Sequence, residues 1–174
     1  MTLNPENNEQ FTGLILLTGV DKPGIASALF DTLSPFSISI VDIEQLVISD
    51  RLILTVLIIL NPAHQKAIES DLEECASVND VDIATLFTSR SMINAKSELI
   101  EIDINSDKLH PKSIAAVTAA LNASGGNIES IARVANDPLT IRFTVSEISL
   151  QDVTDLVAPI NFEDGSKVYV KAHG

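Results

Sequence analysis

Cysteine occurs once in the 174 residues, at Cys75, so no disulfide can form within the chain. Basic residues are scarce: 11 Lys and Arg stand against 24 Asp and Glu, a formal charge of −13. They form no cluster, which argues against nucleic acid or an anionic membrane surface as a partner. No apolar run is long. The longest covers residues 52–60 and is broken by Thr55, too short to span a bilayer. The N-terminus lacks the basic and apolar regions of a signal peptide. The three histidines, His64, His110 and His173, are not spaced as metal ligands, and His64 and His173 are expected in solvent. These absences are those of a cytoplasmic protein that binds neither nucleic acid nor membrane. What is plentiful is apolar: 45% of the residues are hydrophobic, enough for a real core.

The most informative stretch is Gly19-Val20-Asp21-Lys22-Pro23-Gly24. It joins an apolar run at 14–17 to a helical pattern that opens at Ile25, so it is a strand-to-helix turn. Pro23 has a fixed φ and no N–H, which suits the first turn of a helix. Gly24 permits an unusual φ or a close approach. The free N–H groups of a helix start attract an anion, and Asp21 adds a negative charge beside them. A carboxylate next to an anion-binding backbone suits a zwitterion, a free amino acid. The competing reading is that Asp21 simply caps the helix.

The pattern of elements is written twice. Strands are expected over 13–18, 38–48, 52–60 and 81–87, with helices over 25–34 and 63–76. The order β-α-β-β-α-β then recurs: strands over 99–104, 127–134, 139–145 and 167–172, with helices opening at Pro111 and after Ser149. Ser149 and Asp152 resemble a capping box. The fold class is α+β, two ferredoxin-like βαββαβ domains with antiparallel four-stranded sheets and helices on one face. The expected layout is a disordered tail over 1–10, a first domain over 11–88, a linker over 89–97 and a second domain over 98–172. In the second domain the strands alternate: Ile100, Ile102 and Ile104 on one side, Glu101 and Asp103 on the other. The matching strands of the first are apolar on both faces, which calls for cover by another protein surface.

Catalytic spacing is not found. Gly19 and Gly24 have the glycine spacing of a phosphate loop, but Ile25-Ala26 stand where Lys and Ser/Thr belong. Asp80-Val81-Asp82-Ile83-Ala84 fails the D-x-D-x-T pattern of haloacid-dehalogenase phosphatases at its fifth position. Taken alone, the chain reads as a binding or regulatory module with no cofactor of its own.

A βαββαβ unit whose first turn reads Gly-Val-Asp-Lys-Pro-Gly-Ile resembles the ACT domain, a small-molecule sensor. Gly125-Gly126-Asn127-Ile128 in the second copy looks like the ACT signature at that place. With Ile43-Glu44-Gln45 and Asp50-Arg51-Leu52, the chain is similar to the N-terminal tandem ACT region of actinobacterial-type phosphoserine phosphatases. That resemblance implies L-serine or another small amino acid as ligand and a homodimer through surfaces of the first domain. It also implies a phosphatase domain beyond residue 174, where Mg2+ would be needed. The implied ligand-binding residues are Asp21, Pro23, Gly24, Ile25, Gln45, Gly126 and Asn127. Asp21 would take the ammonium, the Gly24 and Ile25 N–H groups the carboxylate, and Asn127 a further hydrogen bond. The second copy has Leu109-His110-Pro111-Lys112 where Asp-x-Pro-Gly is expected, and the first has Ile38-Ser39-Ile40 in place of Gly-x-Asn-Ile. Each copy holds half a signature, so a composite site is expected. Two alternatives stay open: a stand-alone tandem regulator of the glycine-cleavage-repressor type, and a ferredoxin-like assembly module in which the turn is only a cap.

Overall fold

A computed structural model describes residues 9–91 and 98–174. The chain divides into two compact units, Met1–Ile93 and Asn94–Gly174. In unit 1, β1 (Glu9–Val20) leads to α1 (Ile25–Leu33), then β2 (Ser39–Ile48) and β3 (Arg51–Ile59). A short 3-10 turn, Pro62–His64, runs into α2 (Gln65–Asn79), and β4 (Asp82–Ser91) closes the unit. Unit 2 repeats the order with β5 (Ile100–Ser106), α3 (Pro111–Ala123), β6 (Asn127–Asn136), β7 (Leu139–Ser146), α4 (Leu150–Val157) and β8 (Lys167–Ala172). The sheets run β2-β3-β1-β4 and β6-β7-β5-β8. Neighbouring strands with an assigned register are antiparallel. Two ferredoxin-like units of the expected class are therefore present.

Two strands run past the domain limits expected from the sequence. β1 starts at Glu9, inside the stretch assigned to a tail, and β4 continues to Ser91, inside the stretch assigned to a linker. Glu9 pairs with Ser91, so each strand extends the other beyond its apolar part. The rest of that tail and linker, residues 1–8 and 92–97, lies outside the described residues.

Alternation decides which face of each sheet is buried. In unit 1, Ile15 and Leu17 of β1 and Leu52, Leu54, Val56 and Ile58 of β3 meet Ile25, Leu29 and Leu33 of α1 and Ile68 and Leu72 of α2. The i, i+4, i+8 spacing of the α1 residues puts them on one stripe. Cys75, on the apolar face of α2, is buried. In unit 2, Phe143 lies at 0% exposure among Ile100, Ile102, Ile104, Val117, Leu121 and Val153.

The opposite faces differ. In unit 1, Leu14 is flanked by Leu57 on β3 and Leu86 on β4. Leu14 and Leu86 are 42% and 62% exposed, an apolar face open to the outside. In unit 2 the same face carries an ion network. The Arg142 guanidinium donates two hydrogen bonds to Asp103, at 2.7 and 2.8 Å. Glu101 meets Arg142 at 3.2 Å, Lys171 at 2.9 Å and His173 at 2.7 Å. Glu101 is thus only 7% exposed, and the expected wet face is a paired one. His173 is likewise not simply solvated. Neither is His64, whose partly buried ring lies near Phe36 with no partner for Nδ1 among the described residues.

Leu54→Ala removes a side chain at 1% exposure and leaves a void that a packed helix-on-sheet layer cannot collapse. The expected cost is about 2–5 kcal/mol, read as a lower midpoint of urea unfolding in unit 1. Leu14→Ala, on the open face, should cost far less.

Candidate functional site

The β1–α1 connection of unit 1 is built on the residues that the sequence singles out. β1 ends at Val20, and the Asp21 N–H donates to the Asp50 carbonyl at 2.8 Å, tying the loop to the β2–β3 turn. Asp21, Lys22, Pro23 and Gly24 are all exposed. Gly24 is the residue just before the first helical turn and has φ 94°, ψ −11°. That left-handed conformation is costly for any residue with a Cβ. A Cβ here would meet nothing within 4 Å, so backbone conformation and not lack of space calls for glycine. The Gly24 carbonyl accepts from Ala28 N–H at 2.9 Å and closes the first turn.

Two expectations change. Asp21 does not cap α1: among the described residues no side chain accepts from its first N–H groups. Pro23 does not sit in the first turn either. The left-handed turn at Gly24 delays the helix to Ile25 and leaves Pro23 ahead of the cap. Ile25 places its side chain in the core, at 4% exposure, so only its N–H is left to face a ligand.

Other helical segments begin differently. Asn61 accepts from Ala63 N–H at 2.9 Å, opening the 3-10 turn that runs into α2. His110 Nδ1 accepts from Lys112 N–H at 3.2 Å at α3. Ser149 Oγ accepts from Asp152 N–H at 3.1 Å at α4. The capping box expected there is half formed, because Asp152 turns its carboxylate to the Ser149 hydroxyl at 2.6 Å. Among the described residues, α1 has no side-chain acceptor on its first N–H groups and no acidic residue in its first turn; α2 has neither, but it continues the 3-10 turn that Asn61 opens.

Gln45 lies on β2 opposite Leu54, on the helix-covered side of the sheet. Because β3 lies between β2 and β1, Gln45 stands about 10 Å across the sheet from β1, at two strand spacings. Gly126 and Asn127 belong to unit 2. The Gly126 N–H donates to the Leu121 carbonyl at 3.1 Å, part of the turn that ends α3. A Cβ at Gly126 would lie 3.3 Å from Ile148, so the chain approaches closely there. Asn127 Nδ2 donates to Glu129 Oε1 at 2.6 Å, and the Ser146 hydroxyl donates to the same oxygen. These two bonds, that from Ser146 first, hold the Glu129 carboxyl below its usual range. The structure thus brings Asp21, Pro23, Gly24 and Ile25 together in one loop. Gln45 stands apart from them within unit 1, and Asn127 is engaged within unit 2.

Sequence reasoning missed Asp164. It lies in the α4–β8 connection and reaches the start of α3, where it accepts from His110 N–H at 3.0 Å and Ser113 Oγ at 2.7 Å. Its other oxygen accepts from Ser166 N–H at 3.0 Å. The Ser166 hydroxyl beside it, the Ser113 hydroxyl and the His110 N–H hold the carboxyl well below the usual carboxylate range. The Ser166 Oγ makes no well-aligned bond of its own, so the Ser113 hydroxyl and the two N–H groups carry the geometry. Lys112 pairs with Glu163 at 3.3 Å. A cavity of about 770 Å³ lies beside these groups, lined by them and by Ala115, Ala116, Asn161 and Phe162. No local pattern pointed to Asp164, 54 residues from His110 in sequence.

Residues 12–85 match the ACT domain family. Unit 1 is an ACT domain. Unit 2 repeats its strand order and its helices, so the chain is a tandem of this fold. It is 29% identical over 178 residues to a phosphoserine phosphatase of Streptomyces coelicolor, a match covering 94% of this chain and 40% of the relative. It is 30% identical over 129 residues to phosphoserine phosphatase SerB2 of Mycobacterium tuberculosis, covering 73% of this chain and 32% of that protein. The chain therefore spans a third to two fifths of the length of these curated relatives. A solved structure provisionally named a glycine cleavage system transcriptional repressor shares the fold, with TM-score 0.73 at 15% identity, over 95% of this chain and 98% of that one. No helix among the described residues is long and apolar enough to cross a membrane.

The Asp164 shift carries a sign. A folded-state pKa below the unfolded one contributes stability that is present above the ordinary carboxylate value, about 4, and lost as pH falls below it. Asp164→Asn should unfold with a weaker dependence on pH below about 4 than the parent chain, read from urea midpoints across that range.

Proposed function

We propose that the chain is the amino-acid-sensing regulatory region of a phosphoserine phosphatase of serine biosynthesis, working in the cytoplasm, with L-serine as the end product it detects. The observation that carries this reading is the uncapped start of α1 behind a left-handed Gly24, with an exposed Asp21 beside it. A zwitterion needs a cation acceptor and an anion donor close together. Asp21 would accept the ammonium in charge-assisted hydrogen bonds, and the Gly24 and Ile25 N–H groups, aided by the helix dipole, would donate to the carboxylate. The similarity to two phosphoserine phosphatases favours serine over other small amino acids. Their additional length is where a phosphatase domain and its Mg2+ would belong.

Regulation requires that the ligand bind one arrangement of the protein better than another. The open apolar face of unit 1 supports a homodimer through this ACT domain. Each Å² of it withdrawn from water would contribute about 25 cal/mol. A second reading, a stand-alone tandem regulator, is favoured by the nearly end-to-end fold match with the repressor structure. The gene sequence beyond residue 174 separates the two: a D-x-D-x-T strand supports the first, a stop codon the second.

Titration calorimetry with L-serine should give heat. Asp21→Ala should weaken binding about tenfold or more, as expected for a lost hydrogen bond to a charged group. Because Asp21 caps nothing, the same variant should leave stability within about 0.5 kcal/mol of the parent. A loss near 1 kcal/mol would instead mark it as a cap. Asn127→Ala and Gln45→Ala, titrated in parallel, report whether those residues belong to the same site. Absence of heat with serine, glycine and other small amino acids would sink the reading.

A further inference from the structure

The two helix starts that occupy the same place in the repeat have opposite endowments. In unit 1 the loop before α1 keeps Asp21 and Gly24, and no side chain caps the helix. In unit 2 the loop before α3 has lost both residues, and Asp164 stands there instead, bonded to His110 N–H, Ser113 Oγ and Ser166 N–H. Ser113 is only 4% exposed, so part of this cradle is a buried hydroxyl and not a surface contact. The remaining donors nearby are also used: Lys112 N–H by His110 Nδ1, Ser113 N–H by the His110 carbonyl at 2.9 Å, and the Lys112 ammonium by Glu163.

The chain geometry explains why only one unit has this carboxylate. In unit 1, α2 ends at Asn79 and β4 begins at Asp82, so residues 80–81 make the whole connection. In unit 2, α4 ends at Val157 and β8 begins at Lys167, which leaves residues 158–166 to connect them. β8 begins opposite Asn105, near the end of β5, so the longer connection is delivered to the loop that leads into α3. A two-residue connection has no length to spare for the same reach. The extra segment, the buried Ser113 and the replacement of Asp and Gly by residues suited to an internal cap belong to one arrangement.

We propose that Asp164 is a built-in carboxylate ligand. It closes the loop before α3 through His110 N–H, Ser113 Oγ and Ser166 N–H, while His110 itself takes the Lys112 and Ser113 N–H groups that match those of Gly24 and Ile25, so the chain has one receptive loop, residues 21–25, and not two. The statement about α3 stands by itself; the count of one rests on the amino-acid reading above. Removing the side chain leaves His110 N–H, Ser113 Oγ and Ser166 N–H without their acceptor, and Ser113 and Ser166 are buried, where a donor without an acceptor is costly. A small free acid should restore them.

The test uses acetate as that acid. Thermal unfolding of the parent chain, Asp164→Gly and Asp164→Asn is followed at pH 7 in acetate and in chloride of equal ionic strength. Asp164→Gly should unfold at a lower temperature in chloride. It should recover by about 5 °C when acetate exceeds its dissociation constant about tenfold. The parent and Asp164→Asn should show no acetate-specific rise. Amide spectra of the parent with L-serine should show shifts at residues 24–27 with one serine per chain, and none at His110, Ser113 or Ser166. Equal acetate responses in parent and Asp164→Gly, or serine shifts at His110 and Ser113 in the parent, would overturn the proposal. If Asp164→Gly does not fold in chloride, folding in acetate supports the proposal. Failure in both, with Asp164→Asn folded, counts against it. Acetate rescue without any serine binding would retain Asp164 as the internal ligand and remove the amino-acid reading instead.

Discussion

Two helices can cover only one face of a four-stranded sheet, and much of each unit follows from that constraint. The inward residues of the central strands, Ile15 and Leu17 in one unit and Ile100, Ile102 and Ile104 in the other, are sealed under helices. The outward residues need another solution, and the two units solve the problem differently. In unit 2, Glu101, Asp103, Arg142 and Lys171 neutralise one another across three strands, and His173 joins them from the chain end. Lys171 first, then His173 and Arg142, hold Glu101 below its usual range, while Arg142 does the same for Asp103. In unit 1 the same face offers Leu14, Leu16 and Leu86. A self-satisfied charged face has little to gain from a partner, whereas an apolar one gains from being covered.

The same constraint sets the helix starts. Each helix follows the end of a strand, and its first N–H groups emerge at the sheet end, where water, side chains or ligands must satisfy them. α3 and α4 are satisfied from within their unit, as is the 3-10 turn before α2. α1 is not, because Gly24 supplies the turn without supplying an acceptor. A left-handed glycine in that position leaves backbone donors bare, and an exposed carboxylate beside them gives the loop both signs of a zwitterion receptor. The duplicated unit shows that the fold persists without this device, since His110 and Asp164 close the equivalent start.

The βαββαβ repeat was legible because each element has a strong period. Leu139, Ile141, Phe143 and Val145 alternate with Thr140, Arg142 and Thr144, and Ile25, Leu29 and Leu33 recur at helical spacing. The loop residues Asp21, Pro23, Gly24 and Ile25 were legible as a group because they are contiguous. Their separate roles were not. Whether Asp21 or Gly24 occupies the cap depends on one backbone angle, and an Asp-x-Pro-Gly string is compatible with either. The partners of His64 and His173 are hidden from local pattern for a related reason: they come from other elements, Phe36 beside the half-buried His64 and Glu101 bonded to the exposed His173.

By itself the sequence determined the local terms: the number and order of elements, the buried stripe of each, the apolar double face of unit 1, and the turn that only glycine makes at low cost. These depend on neighbours within a few residues, where period and backbone preference act directly. The tertiary structure alone decided which polar groups are satisfied. Asp164 reaches His110 across 54 positions, and His173 reaches Glu101 across 72. Such pairings follow from how the sheet brings strand ends together, and no short-range pattern encodes them. The open start of α1 is a result of the same kind, since it is defined by what does not arrive there.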